Sequence, residues 1–205
     1  MKRIFTLLTI AVLAMVAFNA MSLSTIVKGI FGSKDAADAA PANVAASAKT
    51  LFDFSVKSID GKSVSLAQYK GKKVVILNTA SKCGFTPQYA DWEKFYEANK
   101  DKVVVLGFPA NNFMSQEPGS NNDIAAFCQK NYGVSFPMFE KVEVTGNEQH
   151  PLYQWLSKKT QNGWNDKAPS WNFCKYVVNE QGQLTHFFES KIKPNDAEFK
   201  RAIGL

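Results

Sequence analysis

Residues 73–87 read KVVILNTASKCGFTP and carry the clearest secondary-structure signals of the chain. Residues 73–80 are β-branched and apolar, which is typical of a strand buried on both faces of a sheet. The residues that follow predict a strand-to-helix turn, because Thr86 suits a helix N-cap and Pro87 suits the first helical position. The stretch therefore predicts a strand, a turn and a helix, with Cys83 inside the turn.

The pattern continues on both sides of this unit. A helix at about 87–99 and a second buried strand at 103–108 imply a parallel pair with a right-handed crossover. Upstream, Asp60-Gly61 is a type I′ hairpin signal between strands at 51–58 and 63–66. The other predicted elements are a helix at 121–131 that stops at Gly133, a loop or short strand at 136–144, a helix at 151–159, a hairpin of 173–179 with 183–189, and a terminal helix at 195–203. This order indicates an α/β, thioredoxin-like fold with an N-terminal β-hairpin and a central insertion.

Cys83 has the surroundings of a reactive cysteine. The predicted helix begins three or four residues after its sulfur, so unpaired backbone N–H groups and the positive end of the helix dipole lie nearby. Lys82 adds a positive charge, and together these features favour the thiolate, the form that attacks a peroxide oxygen and becomes a sulfenic acid. The alternative is a small buried hydrophobic residue. Thr86 stands where a disulfide exchanger would carry its second cysteine, which disfavours dithiol exchange at this turn.

Three blocks of sequence resemble the glutathione peroxidase family. They are NTASKCGFT at 78–86, GFPANNF at 107–113 with QEPGS at 116–120, and WNF at 171–173 with Lys175. The resemblance covers about 51–205, and the blocks occur in the family's order. It implies a glutathione-peroxidase-type insertion and a thiol peroxidase that reduces hydrogen peroxide or organic hydroperoxides in defence against oxidative stress.

The same resemblance implies four catalytic residues: a cysteine or selenocysteine, a Gln, a Trp and an Asn. Cys83, Trp171 and Asn172 match three of these positions, and indole and amide N–H groups are donors that can stabilise a thiolate and a leaving oxygen. Asn112 takes the place of the Gln and is one methylene shorter, and a misplacement of about 1 Å can cost about 10²-fold in rate. Gln116 is an alternative amide, although the resemblance places it in a loop signature.

Cys128 is the second candidate redox residue. Phe127-Cys128 followed by 131–133 (NYG) is similar to the place of the resolving cysteine in the thioredoxin-dependent branch of the family. The resemblance implies that the Cys83 sulfenic acid condenses with Cys128 to a disulfide. The alternative is a core residue on an apolar helix face. Because a disulfide needs Cα atoms about 4.4–6.8 Å apart, we expect the helix to unwind locally on oxidation. The third cysteine, Cys174, is expected to be structural.

The implied partners are a peroxide substrate and a thiol reductant, thioredoxin or glutathione, as co-substrate. Tetrameric glutathione-using members carry a longer loop where this chain has only 160–171, which implies a monomer and a thioredoxin-like protein reductant. Three cysteines and two histidines lack the spacing of a metal site, so no metal and no cofactor are expected. The net charge of +6 is spread among interspersed lysines and acids, which does not indicate nucleic-acid binding.

The N-terminal residues have the pattern of an export signal. Lys2-Arg3 precedes an apolar run at 4–18, and small residues follow, so residues 1–22 are predicted to be a signal peptide for the periplasm or cell envelope. The alternative is an uncleaved anchor that gives membrane association through the N-terminus. Residues 23–49 are rich in alanine and predicted to be a linker, and 50–205 form the peroxidase-like domain.

Three other functions use the same residues differently. A peroxide sensor or redox relay would need Cys83 but little turnover. A degenerate, non-catalytic thioredoxin-fold binding module is suggested by Asn112 and would leave Cys83 unreactive. A thiol exchanger for cytochrome assembly suits export but conflicts with the missing second cysteine of the turn.

Overall fold

The computed structural model describes residues 38–42 and 49–205. The strands are β1 (Asp38–Ala39), β2 (Ser55–Lys57), β3 (Ser63–Ser65), β4 (Lys73–Thr79), β5 (Val103–Pro109), β6 (Lys175–Val178) and β7 (Leu184–Phe188). The helices are α1 (Gln88–Asn99), α2 (Asn121–Tyr132), α3 (Pro151–Ser157), α4 (Lys159–Asn162) and α5 (Ala197–Ala202), with 3₁₀ turns at Leu51–Asp53 and Leu66–Tyr69. The predicted signal peptide, 1–22, lies outside the described residues.

Five strands form one sheet in the order β1-β7-β6-β4-β5. The β4–β5 pair is parallel, and the other pairs in this sheet are antiparallel. The hairpin of β2 and β3 forms a separate two-stranded sheet, with Gly61 in its turn at φ +84°. A parallel pair joined through α1, followed by an antiparallel hairpin, is the predicted thioredoxin-like fold. Residues 110–150, which contain α2, form the insertion between β5 and α3.

The sheet separates two hydrophobic cores, and β4 contributes to both. Val74 and Ile76 point into the core that α3 covers, while Val75 and Leu77 point into the core shared with α1 and α5. Such alternation on a strand buried on both faces explains the continuous apolar run of β4. This strand lies between β5 and β6, so the turn that follows it emerges at the centre of the sheet.

Local hydrogen bonding changes several predicted boundaries. Residues 51–53 form a 3₁₀ turn rather than the start of a strand, because the backbone N–H of Thr50 donates to Asp53 Oδ2 at 2.7 Å. The helix predicted at 151–159 is interrupted at Lys158, whose backbone is extended (φ −128°, ψ 109°). Gly133 ends α2 in the left-handed conformation, as predicted, and its N–H bonds Gln129 O at 3.0 Å.

Part of the predicted linker takes part in the sheet. Asp38 and Ala39 pair with Phe187 and His186 of β7, and the backbone N–H of Ala40 donates to Thr185 O at 2.8 Å. An ion pair between Asp38 and Lys167 adds to these backbone hydrogen bonds. An alanine-rich composition carries no signal for such a pairing. Among residues 38–42 and 49–205, no helix has the length and apolar composition needed to cross a membrane.

Candidate active site

The turn after β4 holds Cys83 in a buried position, with 7% of the residue exposed. Its backbone N–H donates to Thr86 Oγ1 at 3.0 Å, and the Thr86 hydroxyl donates to Ala80 O at 2.8 Å. Thr86 was predicted to be an N-cap, but its side chain instead closes the turn that carries the cysteine. Helix α1 begins at Gln88 after Pro87, which already has helical dihedral angles.

The Cys83 sulfur accepts a hydrogen bond from the protein backbone. The N–H of Phe85 lies 3.4 Å from Sγ. The N–H of Thr86 donates to Cys83 O at 3.0 Å, and that of Tyr89 donates to Thr86 O at 3.0 Å, so tight turns lead directly into α1. The sulfur therefore lies at the N-terminal, positive end of a run of helical peptide groups, which stabilises a thiolate.

Asn78, at the end of β4, holds the Trp171–Asn172 segment against this turn. Its side-chain Nδ2 donates to Trp171 O at 3.0 Å, and its backbone carbonyl accepts from Phe173 N at 2.6 Å. Phe173 has φ +64°, a left-handed conformation that a phenylalanine rarely adopts. Such strain is kept where the surrounding contacts fix it, and here it places Asn172 in the interior, fully buried.

Trp171 and Asn172 both reach residues of the site. The Trp171 ring lies 5.7 Å from that of Phe113 and packs on the core that includes Cys83. The side-chain Nδ2 of Asn172 donates to Gln116 Oε1 at 2.9 Å. The backbone carbonyl of Gln116 in turn accepts from the residue before Cys83, which connects the three segments.

Asn112 makes its hydrogen bonds elsewhere. Its Nδ2 donates to a Glu143 carboxylate oxygen and, at 3.3 Å, to Thr145 O, while its Oδ1 accepts from Val144 N at 2.9 Å. Both ends of this amide thus bind residues 143–145. The structure does not bring it into hydrogen bonding with the other three predicted catalytic residues, and the amide bonded to Asn172 belongs to Gln116. Of the two amides that the sequence offered, Asn112 and Gln116, the side chain of Gln116 is therefore the one that contacts Asn172.

Most buried polar atoms without a hydrogen-bond partner surround this site. Across the described residues there are seven such side-chain atoms, and six of them belong to β4, the turn, α1, or the segments at 117 and 172. The six are Asn78 Oδ1, Thr79 Oγ1, Ser81 Oγ, Tyr89 OH, Glu117 Oε2 and Asn172 Oδ1. Unpaired buried groups are costly, so their concentration in one place is typical of a functional site rather than of a packed core.

Cys128 lies in α2, 2% exposed, in the same core as Cys83. Burial raises the pKa of its thiol to about 11; the neighbouring Tyr89 hydroxyl acts in the opposite direction, and the nearby Glu117 carboxylate adds to the rise. All three cysteines of the chain are free. Cys128 is therefore a protonated, buried thiol in this reduced state.

A cavity of about 250 Å³ opens between the turn and α2. Ser81 and Lys82 line it on the side of the turn, and Ile124 and Phe127 line it on the side of α2. The buried Glu117 carboxyl group also faces it, and burial raises the pKa of this group. The cavity therefore adjoins the turn that carries Cys83 and the helix that carries Cys128, although neither cysteine lines it.

Cys174 and a second Trp-Asn dipeptide make their contacts away from Cys83. Cys174 lies fully buried in the other core, its sulfur 3.5 Å from Ser190 Oγ. Trp164-Asn165 repeats the dipeptide found at 171–172. The Trp164 indole N–H donates to Leu184 O at 2.8 Å, and the Asn165 side-chain Nδ2 donates to Leu156 O at 2.7 Å. Within residues 38–42 and 49–205, no group of three or more His, Cys, Asp or Glu side chains could hold a metal ion.

Sequence reasoning gave Lys175 no role beyond its place in a motif. Its side chain is fully buried, and Nζ donates to Ser190 O at 2.8 Å and to Glu189 O at 3.4 Å. Burial lowers the pKa of the amine to about 7. The Gln88 side chain donates to the same Ser190 carbonyl at 2.7 Å, so this carbonyl joins the first residue of α1 to β6.

Comparison with known proteins gives one consistent family. The glutathione peroxidase family model matches residues 51–157. A glutathione peroxidase of Lactococcus lactis is 47% identical over 149 residues, which are 72% of this chain and 94% of that protein. A glutathione peroxidase-like peroxiredoxin of Schizosaccharomyces pombe is 48% identical over 150 residues, which are 72% of this chain and 94% of that protein. The crystal structure of Trgpx in apo form superposes with a TM-score of 0.59 at 38% identity, covering 78% of this chain and 98% of that one.

Proposed function

Because this chain belongs to the glutathione peroxidase family, we propose that it is a thiol peroxidase that reduces hydrogen peroxide or organic hydroperoxides through Cys83 in defence against oxidative stress. One observation carries the assignment of the reactive residue: the Cys83 sulfur accepts a backbone N–H at the start of a helix. That arrangement stabilises the anionic sulfur, which is the nucleophile in peroxide reduction.

In the first step, the Cys83 thiolate attacks one peroxide oxygen. A sulfur–oxygen bond forms, the oxygen–oxygen bond breaks, and the leaving oxygen departs as an alkoxide or hydroxide that takes up a proton. The sulfur is oxidised to a sulfenic acid, and the peroxide is reduced to an alcohol or water. The indole N–H of Trp171, whose ring packs on the core that includes Cys83, would donate to the leaving oxygen.

In the second step, the Cys128 sulfur attacks the sulfenic acid. A disulfide forms between Cys83 and Cys128, and the sulfenic oxygen leaves as water. Since Cys128 is a buried, protonated thiol in the middle of α2, we expect α2 to open so that its sulfur is deprotonated and meets Cys83. A thioredoxin-like protein, or glutathione, then supplies the two electrons and two protons that restore both thiols.

The test is peroxide consumption by the full chain, run with a thioredoxin system and separately with glutathione. The proposal expects turnover with thioredoxin that Cys83→Ser and Cys128→Ser both abolish, while Cys128→Ser still reduces one equivalent of peroxide. Rapid oxidation of Cys83 without turnover by either reductant would support a sensor or relay instead. An unreactive Cys83 would show a binding module that has lost the chemistry.

Export to the periplasm or cell envelope is proposed from residues 1–22 alone, and a monomer is proposed from the short 160–171 loop. Protease protection on intact cells tests the first point. A protein found in the cytosol would contradict it. Size-exclusion chromatography with light scattering tests the second, and a stable tetramer would contradict it.

A further inference from the structure

We propose that Glu117 is the general base of disulfide formation: its carboxylate takes the proton of the Cys128 thiol as that sulfur attacks the Cys83 sulfenic acid. This inference rests on the proposed peroxidase function and adds a proton acceptor to its second step. Its basis is the position of one buried carboxyl group, which lies beside the turn of Cys83 on one side and beside α2 on the other.

The first observation is the burial of Glu117. The residue is 1% exposed, and its Oε2 has no hydrogen-bond partner in the described part of the chain. A buried carboxylate oxygen that no donor holds keeps a free lone pair for a proton. Burial raises the pKa of this carboxyl group, although Ser81, Lys141 and Lys82 act in the opposite direction. The raised pKa makes it a stronger base than an exposed glutamate.

The second observation is the place of this carboxyl group in the cavity of about 250 Å³ between the turn and α2. Ser81, two residues before Cys83, lines the cavity together with Glu117. Ile124, one helical turn before Cys128, lines it from α2. The carboxyl group thus lies between the two segments that the disulfide has to join.

The loop that carries Glu117 is attached to the turn and not to α2 alone. The backbone N–H of Glu117 donates to Asn111 Oδ1 at 2.9 Å, and its carbonyl accepts from Lys141 Nζ at 3.1 Å. The preceding carbonyl, that of Gln116, accepts from Lys82 N at 3.0 Å. We therefore expect the carboxyl group to stay beside the turn of Cys83 while α2 opens and Cys128 moves toward it.

The Cys128 thiol needs a proton acceptor. Its pKa of about 11 leaves about one thiol in 10⁴ ionised at pH 7. The negative charge of Glu117 contributes to this high pKa, so the two groups lie close together. A proton that moves from the thiol to the carboxylate removes the charge that opposes the thiolate. The same residue thus keeps Cys128 protonated in the reduced protein and receives its proton during the reaction.

Two other titratable groups near Cys128 are unsuited to this role. Burial raises the pKa of the Tyr89 hydroxyl well above 10, so this group stays protonated at neutral pH. Asp123 also lines the cavity, but its Oδ2 accepts hydrogen bonds from Ser120 N at 3.0 Å and Ser120 Oγ at 2.7 Å. These bonds lower the pKa of the Asp123 carboxyl group and make it a weaker base.

The proposed step balances without a further reactant. The Cys128 S–H bond breaks and its proton goes to the Glu117 carboxylate. A sulfur–sulfur bond forms, and the sulfur–oxygen bond of the Cys83 sulfenic acid breaks. The departing hydroxide takes the proton from the Glu117 carboxyl group and leaves as water, which restores the carboxylate. The sulfenic acid is the oxidant, so no other oxidant or reductant takes part.

The experiment follows the two steps separately in the full chain. Acid quenching and mass spectrometry after rapid mixing with hydrogen peroxide distinguish the sulfenic acid from the disulfide. Glu117→Gln keeps the size of the side chain but removes the base. We expect it to slow disulfide formation about 100-fold or more. Oxidation of Cys83, measured with Cys128→Ser present, should change less than threefold. Asp123→Asn is the matched control from the same cavity and should change disulfide formation less than threefold.

The pH profile gives a readout that a merely structural role would not change. In wild type, disulfide formation should rise with pH as Glu117 ionises, at a pH above its ordinary pKa of 4.5, and then level off. In Glu117→Gln it should rise about tenfold per pH unit up to about pH 11, because only the ionised thiol then reacts. The charged and titratable groups around Glu117 are Lys82, Lys141, Asp123, Tyr89 and Cys128, and all of them are present in both proteins.

Chemical rescue tests the base directly. Glu117→Ala opens space in the cavity, and added formate should raise its rate of disulfide formation at least tenfold, whereas sodium chloride at the same concentration should not. Formate should not rescue Glu117→Gln, whose side chain fills the space. If Glu117→Gln does not fold, Glu117→Ala with and without formate gives the same comparison, and the wild-type pH profile requires no variant.

Four results would overturn the proposal: disulfide formation in Glu117→Gln within threefold of wild type, an equal slowing of both steps, an equal loss in Asp123→Asn, or no effect of formate. Failure of the proposed function has a different signature, since Cys83 of the wild-type protein would then not react with peroxide at all. A wild-type protein that forms the sulfenic acid but no Cys83–Cys128 disulfide would refute this inference and leave the peroxidase reaction of Cys83 standing.

Discussion

The backbone N–H of Cys83 donates to the hydroxyl oxygen of Thr86 at 3.0 Å, and that hydroxyl donates to Ala80 O at 2.8 Å. One buried side chain thus serves both the donor and the acceptor inside the turn. Because no other residue supplies these two bonds in the described structure, the geometry of the turn depends on a single hydroxyl group.

Thr86→Val should therefore damage the turn although it keeps the shape of the side chain. It leaves a buried N–H and a buried carbonyl unpaired, which costs about 1–3 kcal/mol. We expect a loss of that size in the free energy of unfolding, measured by urea denaturation, together with slower oxidation of Cys83. Thr86→Ser keeps the hydroxyl and is the matched control. Equal losses in the two variants would contradict this account of the turn.

Helix α2 should open when the protein is oxidised. Cys128 is 2% exposed in the middle of this helix, so we expect backbone hydrogen bonds of the helix to break before it joins a disulfide. Hydrogen exchange should show lower protection of residues 121–133 in the oxidised protein than in the reduced protein. The Cys128→Ser variant treated with peroxide is the control and should keep its protection. Equal protection in reduced and oxidised wild type would argue against the resolving role.

Lys175 makes stability depend on pH in a known direction. Burial lowers the pKa of its amine from 10.5 to about 7 in the folded state, so the folded protein binds fewer protons than the unfolded chain between these values. The buried neutral amine costs nothing above pH 10.5, stability is lost as the pH falls from 10.5 to 7, and below 7 the loss is complete. Lys175→Met removes this dependence, although it leaves the carbonyl groups of Ser190 and Glu189 with fewer donors.

We expect the stability of Lys175→Met relative to wild type to fall by about 4 kcal/mol as the pH rises from 7 to 10, at about 1.4 kcal/mol per pKa unit. Urea denaturation at several pH values measures the difference. Comparison within one pair of proteins cancels the titration of the other groups. A difference that stays constant with pH would show that Lys175 is charged in the folded state.

Two glycines with the same backbone conformation provide a matched pair. Gly182 has φ +83° and Gly61 has φ +84°, but a Cβ at Gly182 would meet the Phe52 ring at 2.7 Å, whereas one at Gly61 would meet nothing within 4 Å. Gly61→Ala should cost about 1–2 kcal/mol for the left-handed backbone alone. Gly182→Ala should cost about 1–3 kcal/mol more because of the clash. Denaturation midpoints measure both, and similar losses would mean that Phe52 moves aside freely.

The features that the sequence predicted correctly depend on local signals. The apolar run of β4 identifies a doubly buried strand, Asp60-Gly61 identifies the hairpin, and Gly133 identifies the end of α2. Each signal acts within a few residues, so it could be interpreted without knowledge of the tertiary structure. The motif around Cys83 likewise predicted its position in the turn between β4 and α1.

The features that the sequence did not predict depend on contacts between distant segments. The side chain of Gln116 meets Asn172 across 56 positions of the chain, after a left-handed turn at Met114 and Ser115 that contains no glycine to announce it. The amide of Asn112 meets residues 143–145 instead. The burial of Lys175 similarly depends on carbonyl groups of a later loop.

Strand β7 on one side of the sheet and strand β5 on the other are each partly covered by a short segment of chain, on the β7 side by the two-residue strand β1. Residues Asp38–Ala39 pair along β7, and on the other side Gly107 of β5 exchanges hydrogen bonds of 2.9 Å with Pro137 and Phe139. Exposed sheet edges are templates for strand addition between molecules, which leads to aggregation and fibrils. A second molecule could extend this sheet only by first displacing one of these short coverings. The folded domain is therefore protected against edge-to-edge association, and removal of residues 38–39 should make concentrated solutions of it less stable.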